Sequence, residues 1–112
     1  MITLYGIKNC DTVKKARRWL EDHGIDYQFH DFRQDGIEYK QISEWVEKSG
    51  WEAIVNKRST SWRGLSDKDK NIKSNQQAID LFLINPTLIK RPLTVSDKTL
   101  LIGFKEDEYK KL

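Results

Sequence analysis

Two short β-prone runs flank one helix-prone run at the start of this chain, and that order restricts the fold more than any other feature. Ile2 to Tyr5 (ITLY) is β-branched and aromatic, which favours a strand, and Gly6 ends it. Val13, Ala16 and Leu20 then recur at helical spacing with Trp19 beside Leu20, and Asp11 or Thr12 can cap the helix they define. Lys14, Lys15, Arg17 and Arg18 occupy most of its remaining surface and read as a solvated face. His23 falls in the last turn, near the open carbonyls, and Gly24 suits the position after the helix. Tyr27 to Phe32 (YQFHDF) alternates, with Tyr27, Phe29 and Asp31 on one face, so a second strand is predicted. A strand, a helix and a strand of these lengths form a unit whose two strands pair in parallel.

Asp35-Gly36 signals a turn, and a second helix is predicted from about Glu38, with Ile42, Trp45, Val46 and Ser49 on one stripe and Gly50 at its end. Asn56 to Leu65 (NKRSTSWRGL) is polar and basic and reads as a loop, whose Trp62 either lines a groove or anchors the loop. Ser66 and Ser74 can cap two further helices, the second burying Ala78, Leu81 and Phe82 and stopped by Pro86. Leu93 to Val95 and Thr99 to Ile102 form a hairpin about Ser96-Asp97-Lys98, and Glu106 to Lys111 a terminal helix. The order β-α-β, helical block, β-β-α is that of an α/β, thioredoxin-like mixed sheet with a helical insertion subdomain. One domain is expected over 1–112, with its core at about 1–35 and 87–112 and the insertion at about 36–86. A hydrophobic content of 38% is enough for one modest core.

Charged residues of both signs make up 33% of the chain and sum to only +3, too weak and too dispersed a bias for a nucleic-acid binder. No apolar stretch approaches the ~20 residues that span a bilayer, and MITLYGIKNC lacks the pattern of a secretory leader. A cytoplasmic, monomeric protein without a membrane partner is the expectation. Two separated histidines, His23 and His30, with one cysteine match no familiar zinc spacing, so no metal is expected.

The single cysteine, Cys10, stands where the first strand gives way to the helix. Backbone N–H groups of a first helical turn have no intrahelical partner and, with the helix dipole, favour an anionic sulfur. Lys8 lies two residues before it, and Asn9 can donate a further hydrogen bond. A small half-buried filler remains the competing account of a lone thiol. Cys10-Asp11-Thr12-Val13 has no second cysteine in the Cys-x-x-Cys position, so an oxidised Cys10 pairs with an outside thiol. Glutathione is the abundant candidate, a protein thiol the other, and glutathione's two carboxylates call for cations. Lys57, Arg58 and Arg63 supply them in one loop, Lys90 and Arg91 in another. Arg91 precedes Pro92, and an X-Pro bond just before a strand can turn sharply in the cis form. In a thioredoxin arrangement that turn lies against the reactive sulfur.

Taken together, YGIKNCDTVKKARRWL, FHDFRQDG, NKRSTSWRGL, IKRPL and LIGFKEDEY resemble the arsenate-reductase-like (ArsC) family, in its small YffB-type branch, related to the Spx regulators. The resemblance spans nearly the whole chain. It implies a thioredoxin-like core with a helical insertion, a catalytic thiol at Cys10, Arg91 and cis-Pro92 beside it, and an anion-binding role for Arg58. Lys8, Asn9, Thr12 and Arg63 complete the candidate substrate-binding set. Dedicated reductases carry a small-residue loop around the nucleophile and a third arginine after the last strand. Here the loop is KNCDTVKK, and Phe104 follows Gly103. The expectation is therefore a glutathione-dependent thiol reductase. A weak arsenate reductase and an Spx-like regulator that binds RNA polymerase are the alternatives, the latter without the second cysteine of the Spx redox switch.

Overall fold

The computed structural model describes residues 1–97 and 99–112, which divide into two compact units. One comprises Met1–Gly36 with Arg91–Leu112, the other Ile37–Lys90.

The first unit is built on strands β1 (Ile2–Gly6), β2 (Tyr27–Asp31), β3 (Leu93–Val95) and β4 (Leu100–Ile102), in the spatial order β2-β1-β3-β4. β1 and β2 pair in parallel from Ile2↔Tyr27 to Gly6↔Asp31, as a β-α-β order requires. β1 pairs with β3, and β3 with β4, antiparallel. Helix α1 (Asp11–Asp22) supplies the connection and buries Val13, Ala16, Trp19 and Leu20. These residues join Leu4, Leu101 and Tyr109 in one core cluster, with Tyr27 and Phe29 packed at its margin. Tyr109 belongs to the last helix, α7 (Glu106–Tyr109), which is shorter than the sequence pattern suggests. Its hydroxyl lies 2.5 Å from the Thr94 hydroxyl, so two fully buried polar groups satisfy each other. α1 lies so close to β1 that a Cβ on Gly6 would stand 2.8 Å from Val13 Cγ2. Only glycine allows that approach without a shift.

Several expectations about this unit need correction. The N-cap of α1 is Cys10, not Asp11 or Thr12. A turn closed by Cys10 N–H donating to the Ile7 carbonyl (3.3 Å) delivers the chain to the helix at residue 10. β2 stops at Asp31, one residue early, because Asp31 Oδ1 accepts from Arg33 N–H (2.8 Å) and starts a turn. β4 begins at Leu100, with Ser96 N–H donating to the Thr99 carbonyl across the hairpin connection (2.9 Å). Lys98, expected in that connection, lies outside the described residues.

The second unit is helical: α2 (Tyr39–Ser49), α3 (Trp51–Ile54), α4 (Thr60–Arg63), α5 (Asp67–Lys70), α6 (Asn75–Ile84) and a 3-10 turn at Pro86–Leu88. α2 buries Ile42, Trp45 and Val46 as its periodicity predicts. Gly50 separates α2 from α3 at φ 82°, a left-handed conformation that favours glycine. Ser66 and Ser74 cap α5 and α6, accepting from Asp69 N–H and Gln77 N–H, each at 3.1 Å. α6 buries Ala78, Ile79 and Phe82, so Ile79 takes the place expected for Leu81. Segment 56–65 is partly helical rather than a plain loop, because Ser59 Oγ accepts from Trp62 N–H (3.1 Å) and caps α4.

Candidate functional site

Strand register decides what surrounds Cys10. β1 leads through the turn at 7–10 to Cys10, and Tyr5 near its end pairs with Leu93. Pro92 directly precedes Leu93, so the cis Arg91–Pro92 peptide lies at the same end of the sheet as the cysteine. Leu93 pairs with Ile102, and Gly103 N–H donates to the Pro92 carbonyl (2.8 Å), which brings Phe104 to that end as well. Cys10, Arg91–Pro92 and Phe104 thus all lie at one end of the sheet, brought there by long-range pairing.

Cys10 is half-buried and packs against the cluster of Leu4, Val13 and Leu20. Its carbonyl accepts the first helical hydrogen bond, from Lys14 N–H (3.0 Å), but its side chain makes no capping bond to the first-turn N–H groups. The geometry thus puts the sulfur at the helix entrance while leaving it free of a capping contact. Lys8, Asn9, Asp11 and Thr12 are exposed around it, so charge of both signs borders the thiol. Pro92 is buried and Arg91 half-buried. Arg58 and Arg63 belong to the helical unit, where both are exposed. Beside them the Lys57 ammonium stands 5.6 Å from the centre of the half-buried Trp62 ring, so Trp62 is bound up with its own loop.

Phe104 follows Gly103 at the same end of the sheet as Cys10. It is half-buried and meets Tyr109 edge-on, with ring centres 4.8 Å apart. Asp31 is buried at the neighbouring strand end, but its turn hydrogen bonds give it a structural role. A cavity of about 640 Å³ lies at the opposite end of the sheet, lined by Met1, Ile2, Ser96, Thr99 and Leu112. Cys10 is not among the residues that line this cavity. Among the described residues no cluster of three or more His, Cys, Asp or Glu side chains could hold a metal ion, and no helix is long and apolar enough to cross a membrane.

A mixed four-stranded sheet with a lone cysteine at the β1–α1 junction and a cis-proline entering β3 defines a thioredoxin-like α/β protein. Residues 5–112 match the ArsC family, and the chain belongs to it. The solved structure of the YffB protein superposes with a TM-score of 0.95 at 40% identity, covering 99% of this chain and 97% of that one. A Haemophilus influenzae protein of uncharacterised role is 50% identical over 109 residues, 97% of this chain and 96% of that protein. The global transcriptional regulator Spx of Lactiplantibacillus plantarum is 31% identical over 113 residues, 99% of this chain and 85% of the regulator.

Proposed function

We propose that the protein is a cytoplasmic glutathione-dependent thiol reductase with Cys10 as its nucleophile. The observation that carries this reading is the position of the chain's only sulfur nucleophile, at the N-cap of α1 and at the end of the sheet that also holds Pro92. Cys10 thiolate attacks the glutathione sulfur of a mixed disulfide GS–SR. The S–S bond breaks, the leaving RS⁻ takes a proton, and Cys10 becomes glutathionylated. A second glutathione thiolate attacks the glutathione sulfur of that adduct, restoring Cys10 and producing oxidised glutathione. The net change is GS–SR + GSH → RSH + GSSG, with electrons from glutathione.

Lys8, Asn9 and Thr12 border the thiol and bind the substrate backbone in this reading. Arg91 takes a substrate carboxylate, for which its planar guanidinium suits two parallel hydrogen bonds. Arg58 and Arg63 enter as further exposed cations able to take carboxylate. Phe104, apolar where an oxyanion would need a donor, argues against efficient turnover of arsenate. The test is glutathione-coupled reduction of a small mixed disulfide by wild-type protein and by Cys10→Ser, Arg91→Ala, Arg91→Lys, Arg58→Ala and Arg63→Ala. Turnover abolished only by Cys10→Ser and weakened by the arginine changes supports the proposal. Equal turnover in Cys10→Ser overturns it.

The similarity to Spx supports a second reading, a regulatory protein that binds RNA polymerase. Capture from lysate separates the two. Polymerase subunits retained equally by wild type and Cys10→Ser favour the regulator, and retention as mixed disulfides through Cys10 favours the reductase.

A further inference from the structure

We propose that Gly6 is a positioning residue for the Cys10 thiol: its missing side chain lets the first turn of α1 seat against β1 at the depth that fixes the sulfur relative to the N–H groups of that turn. This proposal rests on Cys10 being the reactive thiol of the reductase reading.

Position 6 needs glycine for space and not for backbone conformation. Four of the chain's six glycines have positive φ, but Gly6 and Gly64 do not. A Cβ on Gly64 would meet only ordinary contacts, the nearest the Thr60 carbonyl oxygen at 3.5 Å. A Cβ on Gly6 would stand 2.8 Å from Val13 Cγ2 and 3.4 Å from Cγ1. To reach ordinary contact, Val13 Cγ2 would have to retreat from 2.8 Å to about 3.4 Å. Val13 is fully buried, and a β-branched side chain in a helix has one strongly preferred rotamer. The retreat therefore falls on the backbone of the first turn.

That backbone is what surrounds the sulfur. Cys10 is the N-cap and Val13 the third helical residue, so Val13 N–H is one of the two donors that an N-cap side chain can meet. Cys10 also packs against the core cluster to which Val13 belongs. The strand side is pinned. Gly6 pairs with Asp31, and its carbonyl accepts from Phe32 N–H (2.9 Å). Cys10 N–H donates to the Ile7 carbonyl (3.3 Å), which ties the cysteine to the end of β1. Pushing Val13 away from Gly6 while the turn at 7–10 stays with β1 draws the first-turn donors away from the sulfur. An anionic sulfur then loses part of the stabilisation that a helix N-terminus gives.

The experiment measures how fast iodoacetamide alkylates Cys10 across pH in folded wild type, Gly6→Ala, Gly6→Ala with Val13→Ala, and Ile79→Ala. A charge at a helix terminus gains about two- to fivefold, so Gly6→Ala should react about two- to fivefold more slowly at neutral pH, with its pH profile moved upward. The double variant vacates the space that the added methyl takes and should recover most of the wild-type rate. Ile79→Ala opens a cavity in the helical unit and should alkylate no more slowly than wild type despite its lost stability. Val13→Ile crowds the same contact from the helix side and should also slow the reaction, which keeps the comparison open should Gly6→Ala not fold. A folded Gly6→Ala that reacts as fast as wild type, equal slowing in Ile79→Ala, or a double variant as slow as Gly6→Ala would overturn the proposal. Alkylation needs no glutathione, and glutathionylation of Cys10, read separately by mass, decides the reductase reading, so either can fail alone.

Discussion

Substituting Gly6 by alanine tests the contact that sets α1, and with it Cys10, against the sheet. The added methyl would meet Val13 Cγ2 at 2.8 Å and Cγ1 at 3.4 Å, and Val13 is fully buried, so it has no open space to move into. Overpacking of this kind costs about 1–3 kcal/mol. Gly6 has no positive φ, so alanine also recovers about 0.4–1 kcal/mol by restricting the unfolded chain. The net expectation is a loss of roughly 1–2 kcal/mol. Val13→Ala alone removes two buried carbons and opens a cavity, for about 1.5–3 kcal/mol. In the double variant the methyl added at position 6 occupies space vacated by the Val13 side chain, so the two costs should fall short of additivity by about 1 kcal/mol or more. Urea unfolding of the four proteins gives the coupling directly. Additivity within about 0.5 kcal/mol, or a Gly6→Ala protein as stable as wild type, would refute the close-approach argument.

Thr94→Val should cost about 1–3 kcal/mol in urea unfolding because it strands the buried Tyr109 hydroxyl, while Thr94→Val with Tyr109→Phe should be closer to wild type. Burial pushes the Tyr109 phenol above its ordinary value of 10.0. The folded state therefore holds this proton more tightly, the contribution is complete below about pH 10, and it is lost as pH rises through the raised value. Stability against pH should accordingly fall more steeply in wild type than in Tyr109→Phe from about pH 10 up to the raised value. Ser74→Ala should lower stability by about 1 kcal/mol by removing the α6 cap. Arsenate turnover in a coupled assay should be negligible, and Phe104→Arg is the variant in which any gain should appear.

How much of this the sequence discloses depends on the range of the interactions involved. β1, α1 and β2 are legible because their hydrophobic periods are local and unambiguous. α3, α4 and the turn at Pro86–Leu88 are three or four residues long, too short for a period to register. In α6, Ile79, Leu81 and Leu83 are all apolar around the Ala78–Phe82 pair, so spacing alone does not choose the buried flank, and packing selects Ile79. Capping preference points to Asp11 or Thr12, but the turn closed onto Ile7 makes Cys10 the cap. Cys10 itself stands out because it is the only thiol. Its neighbourhood is less visible. Pro92 and Phe104 reach the same end of the sheet only through the β1–β3 and β3–β4 pairings.

The central claim is that Cys10 is a redox-active thiol that pairs with an outside one. Intact mass measurement after incubation of the folded protein with oxidised glutathione, followed by peptide mapping, tests it directly. The account expects one glutathione adduct, located on Cys10, that reduced glutathione removes. A folded protein that stays unmodified while its urea-unfolded form is glutathionylated would identify Cys10 as a packed structural residue and contradict the account.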